Sequence, residues 1–244
     1  MKNIFITGVS SGIGHALANY YLQQGEKVYG LSRRTPADLI ATNGQFIFHE
    51  CDLANFDDVQ KALQALPLAG TTLDLVILNA ALLGRIEDLK ITPLSELQHL
   101  MDVNVWANKI LLDLLLKQCA NVSQVVAISS GAAASPERGW GGYSISKAAL
   151  NMLIALYAKE NPQIHFCSLA PGVIDTPMQA DLASRPADAR FPSLEMLKSL
   201  RGTPVMPSTQ EVAPKLIAAF EAARTHPSGA FLSLDQLVKK RWFG

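Results

Sequence analysis

Tyr143 and Lys147 stand four positions apart in Gly142-Tyr143-Ser144-Ile145-Ser146-Lys147, just ahead of the apolar run from Ala148 to Leu156. In a helix that begins near Gly142, both side chains lie on one face with their Cβ atoms about 6 Å apart. A phenol ordinarily titrates at about 10, and a neighbouring ammonium favours the phenolate. The pair therefore predicts a tyrosine drawn towards working pH and usable as a proton donor. The spacing alone also fits an amphipathic helix with an ordinary tyrosine and a solvated lysine. The chain's other unusual residues decide between the two.

The second chemistry-bearing stretch is Thr7-Gly8-Val9-Ser10-Ser11-Gly12-Ile13-Gly14, which follows a strand-like Asn3 to Thr7 and opens a helical pattern. Glycines there permit a tight turn, let backbone approach a pyrophosphate, and leave that anion at the positive end of a helix. Strand, glycine turn and helix in that order predict dinucleotide binding.

Such residues need elements to hold them. Strand patterns occur at Asn3 to Thr7, Lys27 to Leu31, Phe46 to Glu50, Leu73 to Leu78, Gln124 to Ser129 and His165 to Leu169, with a weaker seventh at Phe231 to Leu234. Helical patterns lie between them at Gly12 to Gln24, Asp57 to Leu66, Leu94 to Gln118 and Tyr143 to Lys159. Gly25 supplies a helix stop, and Ser208-Thr209-Gln210-Glu211 has capping-box spacing ahead of Val212 to Ala223. The alternation predicts an α/β domain with a parallel sheet. The proline-rich piece 177–207 lacks a clean period and reads as a mobile excursion with a short helix at Leu194 to Leu200. Ligands of such sheets bind beyond the carboxyl ends of the strands, where the informative residues of this chain fall.

With 244 residues, 49% hydrophobic and 17% charged, and no linker composition, the chain suits one domain over 1–244 and excludes disorder. Its 21 basic and 21 acidic residues balance, so bulk charge favours neither nucleic acid nor an anionic membrane, and a small-molecule partner is expected. Cys51, Cys119 and Cys167 are widely spaced and read as reduced core thiols of a cytoplasmic protein. No Cys-x-x-Cys or metal-ligand histidine spacing occurs, so no metal site is expected. A secretory signal is not evident, and the stretch Val103 to Leu116 is too polar and short for a membrane span.

The motifs, in order, are Thr7-Gly8-x-x-x-Gly12-x-Gly14, Asn79-Ala80-Ala81, Asn104, Ser130, Tyr143-x-x-x-Lys147 and Pro171-Gly172-Val173-Ile174-Asp175-Thr176. In these, up to about Gln179, the chain resembles the short-chain dehydrogenase/reductase family. The resemblance implies a single doubly wound Rossmann-type domain with a seven-stranded parallel sheet. It also implies a nicotinamide cofactor held by Gly8, Ser10, Ser11, Gly12, Ile13 and Gly14, by Asp52 and Leu53 beside the adenine, and by Asn79, Ala80 and Ala81. Pro171, Gly172, Val173 and Thr176 complete that set. At the end of the second strand, Ser32-Arg33-Arg34 offers two guanidiniums and no carboxylate, which predicts a grip on a 2′-phosphate and hence NADP(H).

For the reacting centre the resemblance implies Tyr143 as proton donor to a carbonyl oxygen and Ser130, thirteen residues earlier, as a hydrogen-bonding partner of that oxygen. Lys147 would lower the tyrosine pKa and hold the nicotinamide ribose, and Asn104 would kink its helix and hold a proton-relay water. The family usually has glycine where Ala81 stands. Gly139-Trp140-Gly141-Gly142 and Pro177-Met178-Gln179 are similar to the sepiapterin reductase and benzil reductase branch, which reduces vicinal dicarbonyls. Trp140 reads as an aromatic wall for the substrate or as a packing residue, and Met178 as a substrate contact. Pterin reducers use an aspartate near the C-terminus where this chain has Ser233. Asp235, two residues on, would share that face in a strand, and an apolar or aromatic dicarbonyl is expected ahead of a pterin. A non-catalytic NADP-sensing or signalling protein on the same fold is the alternative reading. Apolar residues on more than one face of Leu94 to Gln118 (Leu111, Leu112, Leu114, Leu115, Leu116) and of Tyr143 to Lys159 (Leu153, Ile154, Leu156, Tyr157) point to a homodimer.

Overall fold

The computed structural model describes residues 1–41 and 44–239. Seven strands form one parallel sheet: β1 (Asn3–Thr7), β2 (Lys27–Ser32), β3 (Phe46–Glu50), β4 (Leu75–Leu78), β5 (Gln124–Ile128), β6 (His165–Ala170) and β7 (Ala230–Ser233). Their order is β3-β2-β1-β4-β5-β6-β7, so the direction of winding reverses between β1 and β4. Ladder partners such as Ile4 with Val28 and with Leu75 fix the register.

The strands read as near-continuous apolar runs because helices cover both faces. Phe5 points to one side and joins Leu63, Leu111, Leu112 and Ile154. Its neighbours Ile4 and Ile6 point to the other, against Leu17, Leu216 and Phe220. These residues lie on α1 (Gly12–Gln23), α2 (Phe56–Ala65), α4 (Ala107–Gln118), α5 (Gly141–Glu160) and α8 (Thr209–Ala223); the chain also forms α3 (Leu94–Met101), α6 (Pro177–Ser184), α7 (Pro192–Leu200) and α9 (Leu234–Lys239). The capping box at Ser208 and Glu211 is formed in both directions.

Four expectations need correction. The strand expected at Leu73 to Leu78 is split at Asp74, whose carboxylate takes the Asn3 N–H at 2.8 Å. Thr72–Leu73 pairs instead with Asn121–Val122 in a separate two-stranded sheet. The helix expected from Leu94 to Gln118 is interrupted by a π turn over Asp102–Trp106, where the Asn108 side chain donates to the Asn104 carbonyl at 2.9 Å. The excursion 177–207 holds two helices rather than one. Thr176 caps α6 by accepting from the Gln179 N–H, and a proline at the helix start begins each of α6 and α7. Finally, Leu111, Leu112, Leu115, Ile154 and Tyr157 belong to the core, while Leu94, Trp106, Ile145, Met152 and Leu156 are the exposed large apolar residues on these stretches.

No helix of the described residues is long and apolar enough to cross a membrane.

Candidate active site

The carboxyl ends of β1, β4, β5 and β6 deliver the site. Thr7 closes β1, and its hydroxyl accepts the backbone N–H groups of Asn79 at 3.0 Å and Ala80 at 3.1 Å. The Asn79 amide in turn donates to the Thr7 carbonyl at 2.9 Å. These bonds tie the first and fourth strands together where the sheet reverses, and a cleft opens above them. The sequence order of the two strands hides this contact.

The glycine turn is built for close approach. A Cβ placed on Gly14 would stand 2.4 Å from both the Gly8 carbonyl oxygen and the Asn79 amide nitrogen. Gly14→Ala is therefore expected to destabilise the protein by about 1–3 kcal/mol, although helix propensity alone would favour alanine. Thermal unfolding measures it, and a variant as stable as the parent would show that the cradle has slack.

Two adjoining hollows lie over the strand ends. The larger, about 620 Å³, is lined by Ser11, Gly12, Ile13 and Asn79 at one end and by Pro171, Gly172, Val173 and Thr176 after β6. Ser130, Tyr143 and Lys147 face its middle, and Trp140, Met178, Leu182, Met196 and Leu197 its far end. The smaller, about 160 Å³, is lined by Gly8, Ser10, Ser32, Arg33, Arg34, Asp52 and Leu53. Ala80 and Ala81 border both. The two guanidiniums are exposed at the rim, beside a bond from the Ser32 hydroxyl to the Arg34 carbonyl. A glycine cradle of this kind fits the pyrophosphate of a nicotinamide dinucleotide.

Tyr143 is seated by α5, which starts two residues earlier than expected. Gly142 lets that start approach α3 closely, since a Cβ there would stand 2.7 Å from Leu100. Ser130 follows β5, accepts the Ala132 N–H at 3.2 Å and hydrogen-bonds Tyr143. Lys147 is buried and donates to the Ile128 carbonyl at 2.7 Å, with its ammonium 5.8 Å from the Tyr143 ring centre. The expected downward pull of Lys147 on the tyrosine is not what this arrangement gives. Burial pushes the Tyr143 pKa above its ordinary value, and only the Ser130 hydrogen bond opposes it. Burial also brings Lys147 down to about 8.

Asn104 stands behind the cleft, fully buried. Its Oδ1 accepts the Leu82 N–H, while its Nδ2 donates to the Leu82 carbonyl and, at 2.9 Å, to Ser146 Oγ. Ser146 donates on to the Tyr143 carbonyl at 2.8 Å. The side chain thus braces the tyrosine helix against the loop after β4, and does not face the cleft.

Trp140 has the packing role, with Leu182, Phe191 and Leu194 under α6 and α7, and it also borders the large hollow. Ser193, Met196 and Leu197 were missed as lining residues, and the proline at the start of α7 was the available signal. Asp235 does line the hollow with Ser233, but not by strand alternation: β7 ends at Ser233 and Asp235 lies in the first turn of α9. The three thiols are buried or half-buried, and burial raises them to about 12 (Cys51), 11 (Cys119) and 12 (Cys167), far from nucleophilic at neutral pH.

This geometry has counterparts. The chain is 32% identical over 235 residues to the benzil reductase ((S)-benzoin forming) of Bacillus subtilis (strain 168), covering 91% of this chain and 94% of the relative. It is 32% identical over 154 residues to the sepiapterin reductase of Bos taurus, covering 60% and 53%. The crystal structure of the KRED1-Pglu enzyme shares the fold with a TM-score of 0.84 at 22% identity, over 95% of this chain and 100% of that one. Residues 2–187, glycine turn and tyrosine helix included, match the family described as short chain dehydrogenase, and to that family the chain belongs.

Proposed function

We propose that the protein is an NADPH-dependent carbonyl reductase that acts on a ketone or vicinal dicarbonyl of benzil type, with Tyr143 as general acid. One observation carries the reading: Tyr143, Ser130 and Lys147 meet in the middle of a hollow whose one end is a glycine cradle and whose other end is apolar. The Bacillus subtilis relative is a benzil reductase, which supports the same substrate class.

When bound, the nicotinamide supplies the hydride. The protein's own groups do the rest. Ser130 and Tyr143 present two hydroxyls to the carbonyl oxygen, so charge that develops there meets preorganised donors. Tyr143 holds its proton at neutral pH, since burial raises its pKa, and this is the form a reduction needs. Lys147 holds the cofactor ribose with an ammonium already oriented by the Ile128 carbonyl. Asn104 acts by positioning, through Ser146, the turn that bears Tyr143. The apolar far end, from Leu83 to Leu197, desolvates aromatic groups at about 25 cal/mol per Å².

Arg33 and Arg34 select the phosphorylated cofactor. Arg33→Ala is expected to raise the KM for NADPH about tenfold or more and to leave that for NADH nearly unchanged, the loss expected of a charge-assisted phosphate contact. The test follows nicotinamide absorbance with benzil and either cofactor. Equal use of NADH and NADPH by the parent would sink the cofactor reading, and turnover of sepiapterin in preference to benzil would sink the substrate reading.

Two further readings complete the proposal. The exposed Trp106, Ile145, Met152 and Leu156 on the helices flanking β5 support a homodimer. Cytoplasmic residence is supported by three free cysteines, two of them buried.

A further inference from the structure

The helices α6 and α7 form a roof over the far end of the hollow, with a small core of their own in which Leu182, Phe191 and Leu194 bury against Leu83 and Trp140. Trp140 belongs to the segment that leads into the tyrosine helix. Its ring meets that of Tyr143 edge-on, with centres 6.3 Å apart and planes at 60°. Its indole N–H donates to Ser193 Oγ at 2.8 Å. Ser193 is the second residue of α7, so this bond joins the roof to the ring next to the proton donor. Phe191 strengthens the same junction. It lies 5.9 Å from the guanidinium of Arg138 and 5.1 Å from that of Arg190, and Arg138 is itself fixed to Asp88 by two bonds of 2.6 and 2.8 Å.

We propose that the bond from Trp140 to Ser193 is a specificity latch, which holds the indole as a fixed wall of the substrate end and so favours carbonyl substrates bearing a flat aromatic group over small aliphatic ones. The inference deepens the function proposed above and rests on its reading of the hollow as a carbonyl site. A buried indole N–H needs an acceptor. With Ser193 Oγ removed, the ring turns to find another or the roof opens to admit water, and either movement takes away the wall. An aromatic substrate loses its stacking partner, whereas a small diketone does not depend on it. Ser193 is thus a positioning residue that acts through Trp140.

The test compares Ser193→Ala and Ser193→Thr with the parent, using benzil and 2,3-butanedione at saturating NADPH. In Ser193→Ala the ratio of kcat/KM for benzil to that for butanedione is expected to fall about tenfold, chiefly through the KM for benzil. Ser193→Thr, which keeps the hydroxyl, is expected to restore the ratio. An unchanged ratio, with both substrates affected alike or not at all, overturns the latch. Hydrogen exchange of segment 185–200 in the free protein reads the same bond without catalysis. Faster exchange in Ser193→Ala and parent-like exchange in Ser193→Thr are expected, and identical exchange in all three overturns the latch. A parent that reduces neither diketone overturns the functional reading alone, and the exchange comparison still decides the latch.

Discussion

Tyr143→Phe is expected to lower kcat for benzil reduction by about 10²–10⁴-fold, the usual worth of a positioned general acid, while NADPH still binds. The substitution keeps the ring that packs edge-on against Trp140 and removes only the hydroxyl bonded to Ser130. Folding should therefore survive, and thermal unfolding close to that of the parent would confirm it. Nicotinamide absorbance gives the rate and cofactor fluorescence the binding. A variant that turns over at the parental rate would place the proton donor elsewhere. Because burial raises the Tyr143 pKa, the reductive reaction should stay on a plateau through neutral pH. The reverse oxidation, which needs the phenolate, should rise with pH.

Lys147→Met carries the second large effect, on activity and on the pH dependence of stability together. Lys147 titrates at about 8 in the folded protein against 10.5 as its ordinary value, because burial disfavours the charged form. Below about pH 8 both folded and unfolded chains hold the proton, and the full desolvation cost weighs on the fold. Between about 8 and 10.5 the folded chain has released the proton while the unfolded chain retains it, so this group makes stability rise with pH across that window. The change amounts to about 3 kcal/mol. Methionine abolishes it. Urea unfolding of both proteins across the window is expected to show a stability difference that moves in favour of the parent by about that amount, and a flat difference would mean that Lys147 is better solvated than its burial indicates. Activity should fall by about 10²-fold or more, since both the buried donor to the Ile128 carbonyl and the cation beside Tyr143 are lost.

What could be read from the residue string was whatever depends on local order. The glycine turn needs only a strand before it and a helix after it, and Gly12–Gln23 duly forms. Seven strands were recognisable as short apolar runs, and the end of one of them brings Ser129 and Ser130 to the site, of which the family spacing to Tyr143 selects Ser130. The direction of the Tyr143 shift was not legible. The spacing shows an ammonium nearby, but burial and the turning of Lys147 towards the Ile128 carbonyl are tertiary facts. The side-chain partners of Asn104 were not legible either: its amide bonds Leu82 and Ser146, the latter 42 positions away, and no local pattern announces such partners. The π turn around Asn104 is a break that the family resemblance implied there, although the apolar residues of that helix looked continuous. In the roof, irregular spacing concealed α6, because its one buried residue, Leu182, packs into a small cluster with Phe191, Leu194 and Trp140 and not on the main sheet.

The roof also leaves and rejoins the body at a single place. Asp175 pairs with Ser208 in a parallel bridge, its N–H donates to the Pro207 carbonyl at 2.9 Å, and its carboxylate accepts from Arg201 at 3.3 Å. The ends of the excursion are thus fastened to each other before anything inside it is specified. For a segment closed in this way, doubling its length costs only about 0.6 kcal/mol in loop entropy. The roof is therefore a closed insert: a change of length inside it would be felt little by the closure that holds its two ends, and the glycine cradle and the tyrosine helix lie outside that closed segment.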